Sequence, residues 1–249
     1  MADWNDRQRG QTGFSADPRA AGDVQRATVT DEGLRKYMLS IYNYMASGVL
    51  LTGIVAMLTW SSGLATTIFS GGILRWVVAL SPLAIVFAMS FGANRFSKTA
   101  LQAMFWAFAT LMGLSLSSVF AIYTGESIAV AFFATTAGFA GLSLWGYTTK
   151  KDLSGWGSFL IMGVIGLIVA MLLNAFLIQS SGFARVIPFI GVLIFAGLTA
   201  YDTQRLKEQY YYLQGSEFLG KAIVLGALSL YLDFINMFTF LLQIMGSRE

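Results

Sequence analysis

Two aspartates hold the chemistry that this chain's side chains offer. Asp233 sits about halfway along the last apolar stretch, in Leu230-Tyr231-Leu232-Asp233-Phe234-Ile235-Asn236, and no other charge lies between Lys221 and Arg248. A carboxylate at bilayer depth costs roughly 2.5 kcal/mol or more, so it marks a function unless it has a permanent cation or its own proton. Asp202, in Ala200-Tyr201-Asp202-Thr203-Gln204-Arg205, lies near the end of the preceding apolar stretch. Its plainer reading is a helix-end residue paired with Arg205 one turn on, worth about 0.2–0.5 kcal/mol. Around Asp233, the residues Ser229, Asn236, Thr239 and Gln243 recur at steps of three or four and form one polar stripe on a helix. For Ser229, Thr239 and Gln243 ordinary interhelical hydrogen bonding accounts for that stripe; for Asp233 it does not.

The elements that must position these acids are membrane-spanning helices. Of 249 residues, 56% are hydrophobic and only 12% charged, against about 25% charged in a water-soluble globule. Apolar runs able to cross about 30 Å of hydrocarbon fall at 37–60, 74–93, 99–123, 127–147, 156–178, 186–204 and 222–245. They are continuously apolar instead of alternating, which selects helices over a barrel. At 1.5 Å per residue, Asp233 lies about 18 Å beyond Lys221, whereas Asp202 lies only about 5 Å inside the membrane. The acids therefore meet only if the last helix enters the bilayer late, near Gly226.

Lysine and arginine set the expected orientation. Thirteen of the 16 fall on one side of the odd number of spans, in the tail to Lys36, at Arg95/Lys98, at Lys150/Lys151 and at Arg205, Lys207 and Lys221. Arg75, Arg185 and Arg248 fall on the other. The positive-inside rule then places the N-terminus in the cytoplasm and the C-terminus outside. Residues 1–33 are polar and poor in large apolar side chains, so they are expected to be a disordered cytoplasmic tail ahead of a membrane domain at 34–249. The first span is too long for a cleaved leader and is expected to serve as the insertion signal.

Several chemistries drop out. With no cysteine and no histidine, the chain offers no disulfide, thiol nucleophile, zinc site or imidazole pH sensor. Any pH response must come from carboxylates. Small residues at one-turn spacing, Ala134/Gly138, Ala137/Gly141 and Gly163/Gly166, are read as close helix packing. Pro82 and Pro188 predict kinks, and Trp60, Trp76, Trp145 and Trp156 an interfacial belt.

The closing Leu230–Asn236 segment, the Ala200-Tyr201-Asp202 segment with Gln204, and Gly113-Leu114-Ser115-Leu116-Ser117-Ser118 in the third span together resemble the Bax inhibitor-1 family. Its bacterial branch includes the modulator of the membrane AAA protease, so the resemblance implies a bacterial inner (plasma) membrane. The resemblance covers the chain from about Tyr37 onward. It implies an all-α bundle in which six helices surround the seventh. It further implies a hydrogen-bonded aspartate pair, Asp202 and Asp233, that senses pH and gates a calcium pore. A basic latch from the second span, Arg95 or alternatively Lys98, would hold that pair in the closed state.

Physical chemistry makes sense of this. Two adjacent carboxylates at low dielectric cannot both ionise cheaply, so they titrate as a coupled pair that can hold one proton. Ca2+ is the fitting transported ion because it is a hard cation that takes oxygen ligands. Two acids are too few for tight binding, so Asp202 and Asp233 suit a weak site or a leak, with no cofactor held tightly. The intramembrane aspartyl proteases also use two acids, but their second lies in Gly-x-Gly-Asp, which Leu230-Tyr231-Leu232-Asp233 does not match. A retinal receptor needs a mid-helix lysine, and none lies inside these runs. The reading is therefore a non-enzymatic, pH-sensitive calcium leak. Its alternative is a non-conducting modulator of a membrane AAA protease, bound through the tail and the bundle. Lipid, Ca2+ and H+ are the expected partners, and nucleic acid is not.

Overall fold

A computed structural model describes the backbone of residues 18–247 and the side chains of 31–247. The described residues form eight α-helices and no strand: α1 (Pro18–Ser61), α2 (Leu64–Phe69), α3 (Ile73–Gly92), α4 (Lys98–Leu116), α5 (Gly125–Thr148), α6 (Ser154–Leu173), α7 (Ser181–Leu213) and α8 (Leu219–Met245). All except the short α2 are long and apolar enough to cross a membrane. The seven expected spans are thus present. The chain divides by compactness into residues 1–36 and 37–249. Helix α1 begins at Pro18, inside the segment expected to be disordered; the expectation for residues 1–17 lies outside the described residues.

Polar side chains cap the starts of three helices. Ser97 Oγ accepts from Ala100 N at the head of α4, Thr124 Oγ1 from Ser127 N at α5, and Ser180 Oγ from Phe183 N at α7, each satisfying an orphan first-turn donor. α4 ends in a 3-10 turn, Ser117–Ala121, ahead of the tight connection to α5. α6 ends in a π turn, Asn174–Ile178, where Asn174 Oδ1 accepts from Ser180 N at 3.0 Å. Both prolines lie inside continuous helices.

α8 is the inner helix. It packs against α4, α5 and α7, and against α1 through Gly226 and Tyr231. Tyr231 is fully buried, its ring edge-on to Phe108 at 5.0 Å, and its hydroxyl meets Thr52 Oγ1 at 2.6 Å. Thr52 in turn donates to Ala109 O at 2.8 Å. One hydroxyl pair therefore joins α1, α4 and α8.

The close helix approaches are not the ones that residue spacing suggested. A Cβ placed on Gly138, Gly141 or Gly166 would meet nothing within 4 Å, and one on Gly163 only Ile194 at 3.2 Å. The tight contacts are at Gly146, where a Cβ would fall 2.3 Å from Ala200 O, and at Gly157, 2.5 Å from the Tyr201 ring. Gly113, Gly191, Gly197 and Gly226 are similarly enclosed. Spacing of three or four finds a helical stripe, but it does not say whether that stripe faces protein or lipid.

Candidate functional site

α7 extends to Leu213, well past the apolar run that ends near Gln204. That extension solves the depth problem. The α7–α8 turn lies about 17 Å from Asp202 along α7 and about 21 Å from Asp233 along α8, so the two acids come level in an antiparallel pair. Both are buried, at 5% and 4% exposure, and they interact electrostatically.

Their surroundings differ. Asp202 Oδ1 pairs with Arg205 Nη2 at 3.2 Å, and Asp202 Oδ2 accepts from the Ser229 hydroxyl. Arg205 also donates to Ser229 Oγ at 3.2 Å, and its guanidinium lies 5.7 Å from the Tyr201 ring centroid. Asp233 Oδ2, by contrast, is buried and receives no hydrogen bond. A buried acceptor left without a donor is costly, so this oxygen stands out from the satisfied groups around it. Thr199 and Thr203, for comparison, return their hydroxyls to carbonyls one turn back, at 2.8 and 2.7 Å.

The structure brings together Asp202, Asp233 and Ser229 from the expected set, and it pairs Asp202 with Arg205 one turn on, as the plainer reading of Asp202 expected. It does not bring in Arg95. That residue is exposed in the α3–α4 turn, and Arg205 makes the one ion pair to these acids among the described residues. Lys98 instead lies along Gly220 at the start of α8. Asn236, one turn beyond Asp233, donates its amide to Leu232 O at 2.8 Å. The described residues contain no cluster of three or more His, Cys, Asp or Glu able to hold a metal.

Sequence reasoning missed the role of Gln204. Its amide accepts from Leu153 N and donates to Lys151 O, both at 2.8 Å, which pins the α5–α6 loop to α7 beside Asp202. Lys207 Nζ adds a bond to Tyr147 O at 2.9 Å. The signal was faint: a glutamine just past an acid, whose partners are backbone groups far away in the chain. In that loop, the side-chain and backbone hydrogen bonds of Ser154 hold the Asp152 carboxyl below its ordinary range.

Seven apolar helices, two of which carry a buried acid couple with one ion pair, define a polytopic integral membrane protein. The family model described as inhibitor of apoptosis-promoting Bax1 matches residues 34–249, and the chain belongs to that family. Among its relatives, an uncharacterized protein of Caulobacter vibrioides is 46% identical over 229 residues, 88% of this chain and 91% of its own. The inner membrane protein YbhL of Escherichia coli K12 is 41% identical over 220 residues, 87% and 94% respectively. An uncharacterized protein of Rickettsia prowazekii is 43% identical over 220 residues, 88% and 92%.

Proposed function

We propose that this protein is a pH-sensitive calcium leak gated by a proton held between Asp202 and Asp233, with the basic end of the bundle in the cytoplasm. The observation that supports it most is the orphaned Asp233 Oδ2 next to an acid whose own two oxygens are already engaged. One proton on the pair leaves a single negative charge to balance Arg205. With no proton the cluster carries an uncompensated charge in a low-dielectric site, which is expensive. Relief comes from moving α7 and α8 apart or from admitting a cation, and either biases a two-state element. Ca2+ fits as the cargo because every side-chain ligand offered is oxygen, and the small number of acids suits passage over storage. Arg205 takes the counter-charge role that the resemblance implied for Arg95.

The test is calcium flux into proteoliposomes from about pH 5 to about pH 8, comparing wild type with Asp233→Asn and Asp202→Asn. Both variants are expected to flatten the pH profile. Three identical profiles would remove the proton gate, and no flux above empty liposomes in any of them would remove the leak.

A further inference from the structure

Two cavities, each about half open at its side, lie along one face of α8. The first, of about 270 Å3, sits beside the ion pair and is walled by Ser90 of α3, Ala93 just after it, Arg205 of α7 and Ser229 of α8. The second, of about 360 Å3, lies deeper between α3, α4, α6, α7 and α8, and contains Asn236 and Ser115 as its polar members. Their linings have just two residues in common, Val86 and Leu232. Ser229, Leu232 and Asn236 follow one another at helical spacing, so a single stripe of α8 runs from the first cavity past Leu232 into the second. Val86 and Ser90 do the same on α3. Asp233 lines neither cavity.

We propose that Val86 and Leu232 form an apolar waist that keeps the Arg205–Ser229 chamber separate from the Asn236 chamber. Hydrophobic constrictions stop ions by excluding water, and an apolar gap of this kind stays dry. Both side chains are half-buried, and each lines both cavities. That a cation crosses the waist rests on the calcium reading. The waist itself does not.

The chain has no cysteine, so single cysteines report access without background. In nanodiscs, a membrane-impermeant charged thiol reagent should label Ser90→Cys quickly, because Ser90 is exposed in the last turn of α3, at the end of that span. Asn236→Cys and Ser115→Cys should label about tenfold or more slowly, and adding Leu232→Ala should recover that factor by removing the buried carbons that close the waist. Leu232→Met, which preserves bulk, should leave labelling slow. Val86→Ala serves as the second opening variant if Leu232→Ala fails to fold.

Labelling of Asn236→Cys and Ser115→Cys as fast as Ser90→Cys with Val86 and Leu232 intact would overturn the waist. So would slow labelling of both after either truncation. If the truncations speed labelling while calcium flux stays at the empty-liposome level, the waist stands and the calcium reading fails.

Discussion

α6 and α8 are built by opposite rules. α6 is the most apolar span, yet only 6% of an 18-residue apolar stretch of it is buried; α8 carries the acid and the polar stripe, and 67% of its corresponding stretch is buried. In water the more apolar helix would be the inner one. In lipid the hydrocarbon solvates leucine and isoleucine as well as a protein core does, so apolarity alone does not draw a helix inward. Polar groups that need partners do. The helix with Ser229, Asp233 and Asn236 is inside because lipid cannot satisfy them.

Paired truncations should break this contrast most visibly. Tyr231→Ala on α8 removes a fully buried ring and its bond to Thr52. A loss of about 3–5 kcal/mol is expected, roughly 6–20 °C in Tm, read by thermal unfolding in detergent. Next in size is Gly157→Ala, on the inner edge of α6, where the new methyl group would overlap the Tyr201 ring; about 1–3 kcal/mol should be lost. On the same helix, Ile165 is 57% exposed. Ile165→Ala should cost under about 1 kcal/mol, since lipid fills the space. Gly166→Ala, which meets nothing, should be neutral or stabilising by up to about 1 kcal/mol, from helix propensity alone. If Ile165→Ala proved as damaging as Tyr231→Ala, the outer face of α6 would have to be covered by protein.

The smallest effect belongs to Asp152, at the entrance to α6. Its folded-state pKa lies below the ordinary value because of Ser154. Its contribution is therefore present above the ordinary carboxylate range of about 4 and fades as pH falls through the depressed value. Asp152→Asn should give the least Tm change of the set near neutral pH and none in strong acid.

Much of this was legible in the residues. Seven uninterrupted apolar runs gave seven spans, and a polar stripe interrupted by one carboxylate pointed to the inner helix. Two things were not legible, and a third was legible only in part. The reach of α7 beyond Gln204 was hidden because its last turns are charged and aromatic, and a hydrophobicity pattern ends where lipid ends, not where the helix does. The glycine contacts were hidden because spacing carries no information about which neighbour a face meets; Gly138 and Gly146 look alike in the chain, yet only Gly146 faces Ala200. The counter-charge was in plain view as Arg205, one turn from Asp202. Its importance appears only once Ser229 from α8 joins the same guanidinium and carboxylate.

The central claim is one proton held between Asp202 and Asp233, and counting it is the most direct test. Proton uptake by purified protein on a step from about pH 8 to about pH 5 should be one proton per chain greater for wild type than for Asp233→Asn. Equal uptake by the two proteins would contradict the account.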